Sequence, residues 1–287
     1  MLPEGSSLED FRDPKVWKEN GKYYMVAGSR HSDGSGQIAL FCAEKLEKWE
    51  FAGILDRSEH KIGRMWECPD FYPLDGKQVL MISPQEMEAE GLEFHNGNNT
   101  AFLIGNYDKE KLKFTREKVQ SVDYGLDFYA PQTFQDRKGR RIIIGWMGMP
   151  DAEEEYTNKT IDEGWQHCLT VPREVTYKNA MLYQYPVKEL NGLRENGTSI
   201  SGSSVELPVN GPFDLDIQVK GDQGKVSLGE NLFLEYQGGD VILTLSETAG
   251  AGRKVRKAHV PSGKVESLRI LADTTAVEIY VNGGEVV

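Results

Sequence analysis

One phrase occurs three times in the first 150 residues of this 287-residue chain. In each copy a proline is followed by a short apolar run, a turn that ends in glycine, and a second apolar run. The copies begin at Pro14, Pro69 and Pro131, which lie 55 and 62 residues apart, and proline and glycine are separated by 7, 7 and 8 residues. Repetition at this period, with a hairpin inside each unit, is typical of the blades of a β-propeller.

The apolar runs and the turns between them predict four strands in each unit. The predicted strands cover residues 15–18, 22–28, 37–43 and 49–55, then 70–74, 78–83, 100–107 and 112–115, then 131–135, 141–147, 168–177 and 181–185. An acidic insertion around residues 151–155 falls between the second and third strands of the third unit. The pattern therefore predicts three four-stranded blades over residues 11–185.

The sequence after Pro186 has a different pattern. Gly, Ser and Asn cluster between residues 191 and 204, and short alternating runs follow at 213–219, 231–236, 241–245, 267–271 and 276–281. This spacing predicts an antiparallel β-sandwich. With no amphipathic helix pattern, the expected fold is all-β, with a propeller portion at 1–187 and a sandwich at 188–287.

Three blades are fewer than a closed propeller needs, since propellers have four to eight. We therefore expect a chain truncated mainly on its N-terminal side and also at the end of the sandwich, where residues 278–287 stop within a hairpin. The alternative is self-association through the open sheet edges.

Charge and cysteine content narrow the class of function. The net charge of -12 disfavours nucleic acids and anionic membranes as partners. The three cysteines are too few and too widely spaced for a disulfide framework or a zinc cluster, and the five histidines show no metal-ligand spacing. No apolar run approaches the ~18 residues of a membrane span, and the N-terminus shows no export signal. We expect a cytoplasmic protein without metal or cofactor.

An acid precedes each repeated proline: Asp13, Glu67 and Asp127. Propeller blades begin with the strand that lines the central channel, so these carboxylates are expected to converge on one pocket. Arg12 would favour the ionised form of Asp13, which suits hydrogen bonding to sugar hydroxyls. Three converging acids favour a carbohydrate site, although an Arg-Asp or Asp-Pro pair alone is more often structural.

Aromatic and thiol neighbours add to this candidate site. Trp66 and Cys68 flank Glu67, and such apolar surroundings would favour a protonated carboxyl that can act as a general acid. Trp146 could supply an apolar wall for a sugar ring. Each tryptophan alone is more often a core residue than a ligand platform.

Several motifs resemble those of glycoside hydrolase family 32, which contains invertases, fructanases and sucrose-6-phosphate hydrolases. The matching segments are the Arg-Asp-Pro motif at 11–17, the Glu-Cys-Pro motif at 66–70, and residues 127–134, 144–147, 165–174 and 182–190. The resemblance implies a five-bladed propeller followed by a β-sandwich, of which two blades would be missing here.

The resemblance also implies retaining hydrolysis of β-fructofuranosides, a small-molecule carbohydrate substrate. Glu67 would be the acid/base and Asp13 the transition-state stabiliser, assisted by Arg12. Cys68 would tune Glu67. Substrate-binding roles are expected for Asp127 and Trp146, and for Trp66 beside Glu67.

One family motif is absent from the sequence. The nucleophile of the family is an Asp in an early Trp-Met-Asn-Asp-Pro-Asn-Gly motif, and the 287 residues contain no such motif. We therefore expect negligible sucrose hydrolysis by this chain. The open alternatives are a non-catalytic fructan or sugar binder and a related propeller glycosidase acting on arabinosides or xylosides, against which the Arg-Asp-Pro and Glu-Cys-Pro motifs argue. Sucrose, sucrose-6-phosphate and fructan stay undecided as substrates.

Overall fold

The fold was analysed in a computed structural model that describes residues 3–150, 158–249 and 254–287. Two antiparallel four-stranded sheets come first, each with its strands in chain order. The first contains β1 (Ser6–Glu19), β2 (Lys22–His31), β3 (Gly36–Lys45) and β4 (Lys48–Arg57), and the second contains β5 (Met65–Leu74), β6 (Lys77–Gln85), β7 (Ala101–Asp108) and β8 (Lys113–Ser121). All eight predicted strands of these units are present.

The third sheet follows the same plan with one interruption. It contains β9 (Tyr129–Gln135), β10 (Arg141–Met147), β11 (Cys168–Leu169), β12 (Arg173–Lys178) and β13 (Met181–Pro186). Both β11 and β12 pair with β10, so together they fill the place of one predicted strand, 168–177. Pro172 lies at the break, where it cannot donate to the ladder. The predicted acidic insertion at 151–155 lies outside the described residues.

The middle sheet is buried on both faces because alternate side chains of a strand point to opposite sides. Leu80 and Ile82 pack in a cluster with residues of the first sheet, whereas Val79 and Met81 pack in a second cluster with residues of the third. The three sheets therefore stack face to face as propeller blades. Gly28 permits a close approach between the first two blades, since a Cβ there would lie 2.1 Å from the Trp66 carbonyl oxygen.

Two further sheets form the β-sandwich. One has the order β14-β19-β20 and the other runs from β15 to β18 in sequence. The strands are β14 (Phe213–Gln218), β15 (Gln223–Leu228), β16 (Leu232–Gln237), β17 (Asp240–Leu245), β18 (Val255–His259), β19 (Ser267–Ala272) and β20 (Val277–Val281). The strands β15 and β18 are not predicted from the sequence, because their side chains are mostly polar or charged.

Helices contribute little to the described part of the chain. Those present are three short 3₁₀ turns at Lys159–Glu163, Lys188–Leu193 and Glu247–Ala249. No helix among the described residues has the length and apolar character needed to cross a membrane. The all-β fold class, three propeller blades followed by a sandwich, is confirmed.

A buried charge network joins the third blade to the sandwich. Arg173, 2% exposed, pairs with Glu278 of β20 at 2.6 Å and with Asp123, before β9, at 2.8 Å. The Tyr280 hydroxyl also donates to Glu278, at 2.6 Å. Buried charges persist only when they are paired and hydrogen-bonded, so this network links the two parts of the chain firmly.

Candidate active site

Each blade has a β-bulge at the same place in its innermost strand. In each bulge two residues of the inner strand lie opposite one residue of the next strand, between Arg12 and Lys15 in β1, Glu67 and Asp70 in β5, and Tyr129 and Gln132 in β9. The second bulge residue is the repeated proline. The first has positive φ: 58° at Asp13, 48° at Cys68 and 48° at Ala130. Such strained backbone concentrates at functional sites, and bulges redirect side chains there.

The residues just before the three bulges meet at one point. Arg12 donates from Nε to Oε1 of Glu67 at 2.7 Å, and Tyr129 donates its hydroxyl to Oε2 of Glu67 at 2.8 Å. One side chain from each blade therefore contributes to the surroundings of the Glu67 carboxyl. With 14% of its side chain exposed, Glu67 is held in place yet open to a ligand.

Arg12 is itself held between acids. Its second contact is with Asp10 at 3.0 Å, and Asp10 also pairs with Arg30 at 2.6 Å. Partial burial alone would lower the pKa of Arg12, but its hydrogen bonds to Glu67 and Asp10 outweigh it and raise the pKa above its ordinary value. The guanidinium therefore stays charged beside Glu67.

The residues at the bulges form a second set of contacts. Asp13 accepts a hydrogen bond from the backbone N–H of Cys68 at 3.0 Å and from its Sγ at 3.6 Å. The expected pairing of Arg12 with Asp13 is wrong, because the bulge turns the two neighbouring side chains to different partners. Asp13 nevertheless lies directly beside the backbone that follows Glu67.

The surroundings of Cys68 hold its thiol in the neutral form. Burial, with the adjacent Asp13 and Glu67 carboxylates, raises the pKa of Cys68 to about 12. A neutral thiol packed between two acids can influence Glu67 but cannot serve as a nucleophile near neutral pH.

The Trp66 side chain faces away from the site. It has no exposed surface, its indole N–H donates to the Ile62 carbonyl at 2.5 Å, and it packs in the core between the first two blades. The predicted substrate contact is therefore wrong for this side chain, because consecutive strand residues point to opposite faces. For the same reason Glu67 has polar neighbours instead of the apolar surroundings expected from its position beside Trp66.

The three acids are not at matched repeat positions. Aligned on the bulges, Glu67 corresponds to Arg12 and Tyr129, whereas Asp13 corresponds to Cys68 and Ala130. Asp127 precedes β9 altogether. The expectation that the repeat presents equivalent carboxylates is thus wrong, although Asp13 and Glu67 do lie at or next to the aligned bulges of neighbouring blades.

Residues just after the bulges form a third set of contacts. Lys15 lies 3.3 Å from the Asp70 carboxylate and donates to Oε1 of Gln132 at 2.9 Å. Gln132 in turn donates to the Cys68 carbonyl at 3.3 Å. These contacts connect the three inner strands immediately beyond the carboxylates.

Tyr129, Lys15 and Gln132 are not among the site residues predicted from the sequence. A signal for them was present: Tyr129 stands two residues before Pro131, as Glu67 stands before Pro69 and Arg12 before Pro14. Counting back two residues from each proline, rather than searching for acids, identifies Glu67 and its two partners Arg12 and Tyr129.

Asp127 and Trp146 lie towards the sandwich side. Asp127 lines a cavity of about 490 Å³ between the third blade and the sandwich, together with Trp165 and His167. Trp146, half-buried, is the cross-strand partner of Tyr129, and its ring centroid is 5.0 Å from that of His167. The structure thus links Trp146 to the Glu67 surroundings through Tyr129.

No cluster of metal-binding side chains occurs in the part of the chain that is described. No three His, Cys, Asp or Glu side chains come together there as a metal ion would require. Cys42, Cys68 and Cys168 are all unpaired thiols.

The sequence matches the family model for the glycosyl hydrolases family 32 N-terminal domain over residues 1–186, almost two thirds of its length. The chain belongs to glycosyl hydrolase family 32. Its relatives include the sucrose-6-phosphate hydrolase of Bacillus subtilis, 35% identical over 99% of this chain, and the raffinose invertase of Escherichia coli, 34% identical over 99%. The chain spans about three fifths of the length of these relatives, 61% in both cases.

Solved structures of the same family share the fold. The sucrose-6-phosphate hydrolase from Lactobacillus gasseri has a TM-score of 0.89 at 27% identity, with all of this chain and 62% of that chain covered. A Bombyx mori β-fructofuranosidase mutant in complex with sucrose has a TM-score of 0.83 at 30% identity, covering all of this chain and 61% of that one. Membership of family 32 agrees with the resemblance found in the sequence and disfavours the arabinoside or xyloside alternative.

Proposed function

We propose that this chain carries the acid/base half of a retaining β-fructofuranosidase site. In this proposal Glu67 is the general acid and base and Asp13 binds fructose hydroxyls in the transition state. The observation that carries it is the meeting of Arg12, Asp13 and Glu67 at two aligned bulges, with Asp13 held by the Cys68 N–H at 3.0 Å. Of the two carboxyl groups that retaining hydrolysis needs, Glu67 would supply the acid/base, and Asp13 would add a third carboxylate that binds the sugar.

The surroundings of Glu67 suit the proposed role. Its Oε1 is occupied by Arg12, which fixes the carboxyl plane and leaves Oε2 on the side of Tyr129. Cys68 acts on Glu67 as a neutral thiol. The hydrogen bond from its Sγ to Asp13 restrains the Asp13 carboxylate. We place Asp127 and Trp146 among the substrate-binding residues, where Trp146 offers an apolar ring face.

Substrate, location and domain limits complete the proposal. The relatives are named sucrose-6-phosphate hydrolases and an invertase, which supports sucrose-6-phosphate or sucrose as substrate, with fructans as the wider class.

Three unpaired cysteines support a reducing, cytoplasmic setting. The end of the family match at residue 186 supports a domain boundary at 187/188. Exposed Phe51 and Val16 on the first blade support self-association.

The Asn-Asp-Pro motif is absent from these 287 residues, which affects sugar hydrolysis but not the residues proposed to bind the sugar. Without an Asp in the nucleophile role a covalent fructosyl intermediate cannot form, so we expect binding of fructose and sucrose without hydrolysis. This observation favours sugar binding as the second candidate function of the chain itself.

Calorimetric titration tests the proposed site. We expect Asp13→Ala to weaken fructose binding by about tenfold or more, the usual effect of losing a hydrogen bond to a charged group. The control is Asp222→Ala, at an exposed position of the sandwich, which should leave the affinity unchanged. Equal affinities in all three proteins would contradict the assignment of Asp13. Sucrose turnover that Glu67→Gln abolishes would contradict the expected lack of hydrolysis.

A further inference from the structure

Tyr129 has two hydrogen-bond acceptors for one proton. Its hydroxyl lies 2.8 Å from Oε2 of Glu67 and 3.1 Å from the carbonyl oxygen of Ser83. A phenol can donate to only one acceptor at a time but can accept from another donor meanwhile. Tyr129 is 2% exposed, so its hydroxyl is largely shielded from solvent.

Arg12 decides which oxygen of Glu67 can take a proton. Its Nε–H points at Oε1 from 2.7 Å, and its charge makes a proton on that oxygen unfavourable. A proton added to Glu67 therefore goes to Oε2, the oxygen that faces Tyr129. The other titratable groups around Glu67 are Asp13 and Cys68, which contact each other through the Cys68 thiol.

We infer that Tyr129 is a positioning residue whose hydroxyl reverses direction with the protonation state of Glu67. When Glu67 is ionised, Tyr129 donates to Oε2. When Oε2 is protonated, its O–H donates to the Tyr129 oxygen and Tyr129 donates to the Ser83 carbonyl. In both states Glu67 and the Tyr129 hydroxyl stay hydrogen-bonded to each other, and only the Ser83 carbonyl gains or loses a donor.

The consequence of this inference for catalysis rests on the proposed role of Glu67 as the acid/base. As Glu67 gives its proton to a leaving group, the Tyr129 hydroxyl turns back and donates to the newly ionised Oε2. The bond to a charged acceptor is the stronger of the two alternatives, so the hydroxyl stabilises the carboxylate as it forms. Burial and the neighbouring Glu67 raise the pKa of Tyr129, which keeps the phenol protonated throughout.

Carbon-13 NMR of the chain tests the inference. With glutamate labelled at the side-chain carboxyl carbon, the Glu67 signal is the one lost in Glu67→Gln. We expect Tyr129→Phe to move the Glu67 titration midpoint to higher pH by about one unit, because the ionised form loses a donor. The matched control is Tyr72→Phe, which removes an equally buried hydroxyl that has no hydrogen-bond partner and should leave the midpoint in place.

A second readout uses the unaltered chain with tyrosine labelled at Cζ. The Tyr129 signal should show a step at the Glu67 midpoint, and this step should be absent in Glu67→Gln. A midpoint in Tyr129→Phe equal to that in Tyr72→Phe, or a Tyr129 signal without the step, would overturn the inference. Neither readout requires sugar, so a failure of fructose binding would count against the proposed function alone.

Discussion

The position of Cys68 in the β-bulge, buried and next to two carboxylates, determines the pKa of its thiol. Because its pKa is raised to about 12, the Cys68 thiol is almost entirely neutral at pH 8. We expect Cys68 to resist alkylation by iodoacetamide at pH 8 in the folded chain and to react fully in urea, as measured by peptide mass spectrometry.

A substitution at Asp13 tests whether the neighbouring carboxylates help to raise the Cys68 pKa. Asp13→Asn removes one of the two negative charges that raise the Cys68 pKa, so the folded variant should be alkylated faster. Rapid alkylation of Cys68 in the unaltered folded chain, or an unchanged rate in Asp13→Asn, would show that these carboxylates do not control the thiol.

Roles of neighbouring residues could be predicted only in part from the sequence. The sequence predicts Asp13 and Glu67 as site residues, but adjacency in the chain predicts the wrong partners for them. In a strand, adjacency places Trp66 on the face opposite Glu67, and in a bulge it sends Arg12 and Asp13 to different partners. The true neighbours come from other blades, 55 and 62 residues away.

At the scale of elements, the three bulges should cost backbone energy. Ala130 occupies the left-handed region at φ 48°, which costs an L-residue about 1–2 kcal/mol and glycine almost nothing. We expect Ala130→Gly to raise the free energy of unfolding by up to about 1 kcal/mol after the entropy of glycine is counted, measured by urea denaturation.

Ala39 offers the control for this change. It lies buried within β3, where φ is not positive, so Ala39→Gly should destabilise the chain by about 1 kcal/mol or more. If Ala130→Gly were as destabilising as Ala39→Gly, the left-handed bulge would not be the strained element described here.

Strand positions were more predictable than strand limits. The apolar run at 15–18 predicted part of β1, which extends over Ser6–Glu19, because only its later half shows a hydrophobic pattern. The bulges were invisible to this reasoning, since an apolar pattern does not record one extra residue. The prolines that mark them were nevertheless the repeated feature.

For the whole molecule, the Arg173 network should hold the third blade to the sandwich. Arg173→Met leaves Glu278 and Asp123 without their cation, and breaking a buried pair in this way costs about 3–5 kcal/mol. Urea unfolding followed by tryptophan fluorescence measures the loss. The control is Lys138→Met, which removes an exposed partner of Glu189 and should cost less than about 1 kcal/mol. Equal effects of the two substitutions would contradict this role.

The architecture of the whole chain was predicted correctly because its repeat is long and regular. Blade count and sandwich follow from spacing, whereas the contact between them depends on Arg173 and Glu278, 105 residues apart, which no local pattern announces.

A crystal structure of the chain soaked with fructose tests the central claim most directly, namely that the bulges of the first two blades form the fructose site. We predict one fructose whose hydroxyls lie within about 3.2 Å of carboxylate oxygens of both Asp13 and Glu67. Fructose ordered only elsewhere, with no hydroxyl within hydrogen-bond distance of Asp13 or Glu67, would contradict the account.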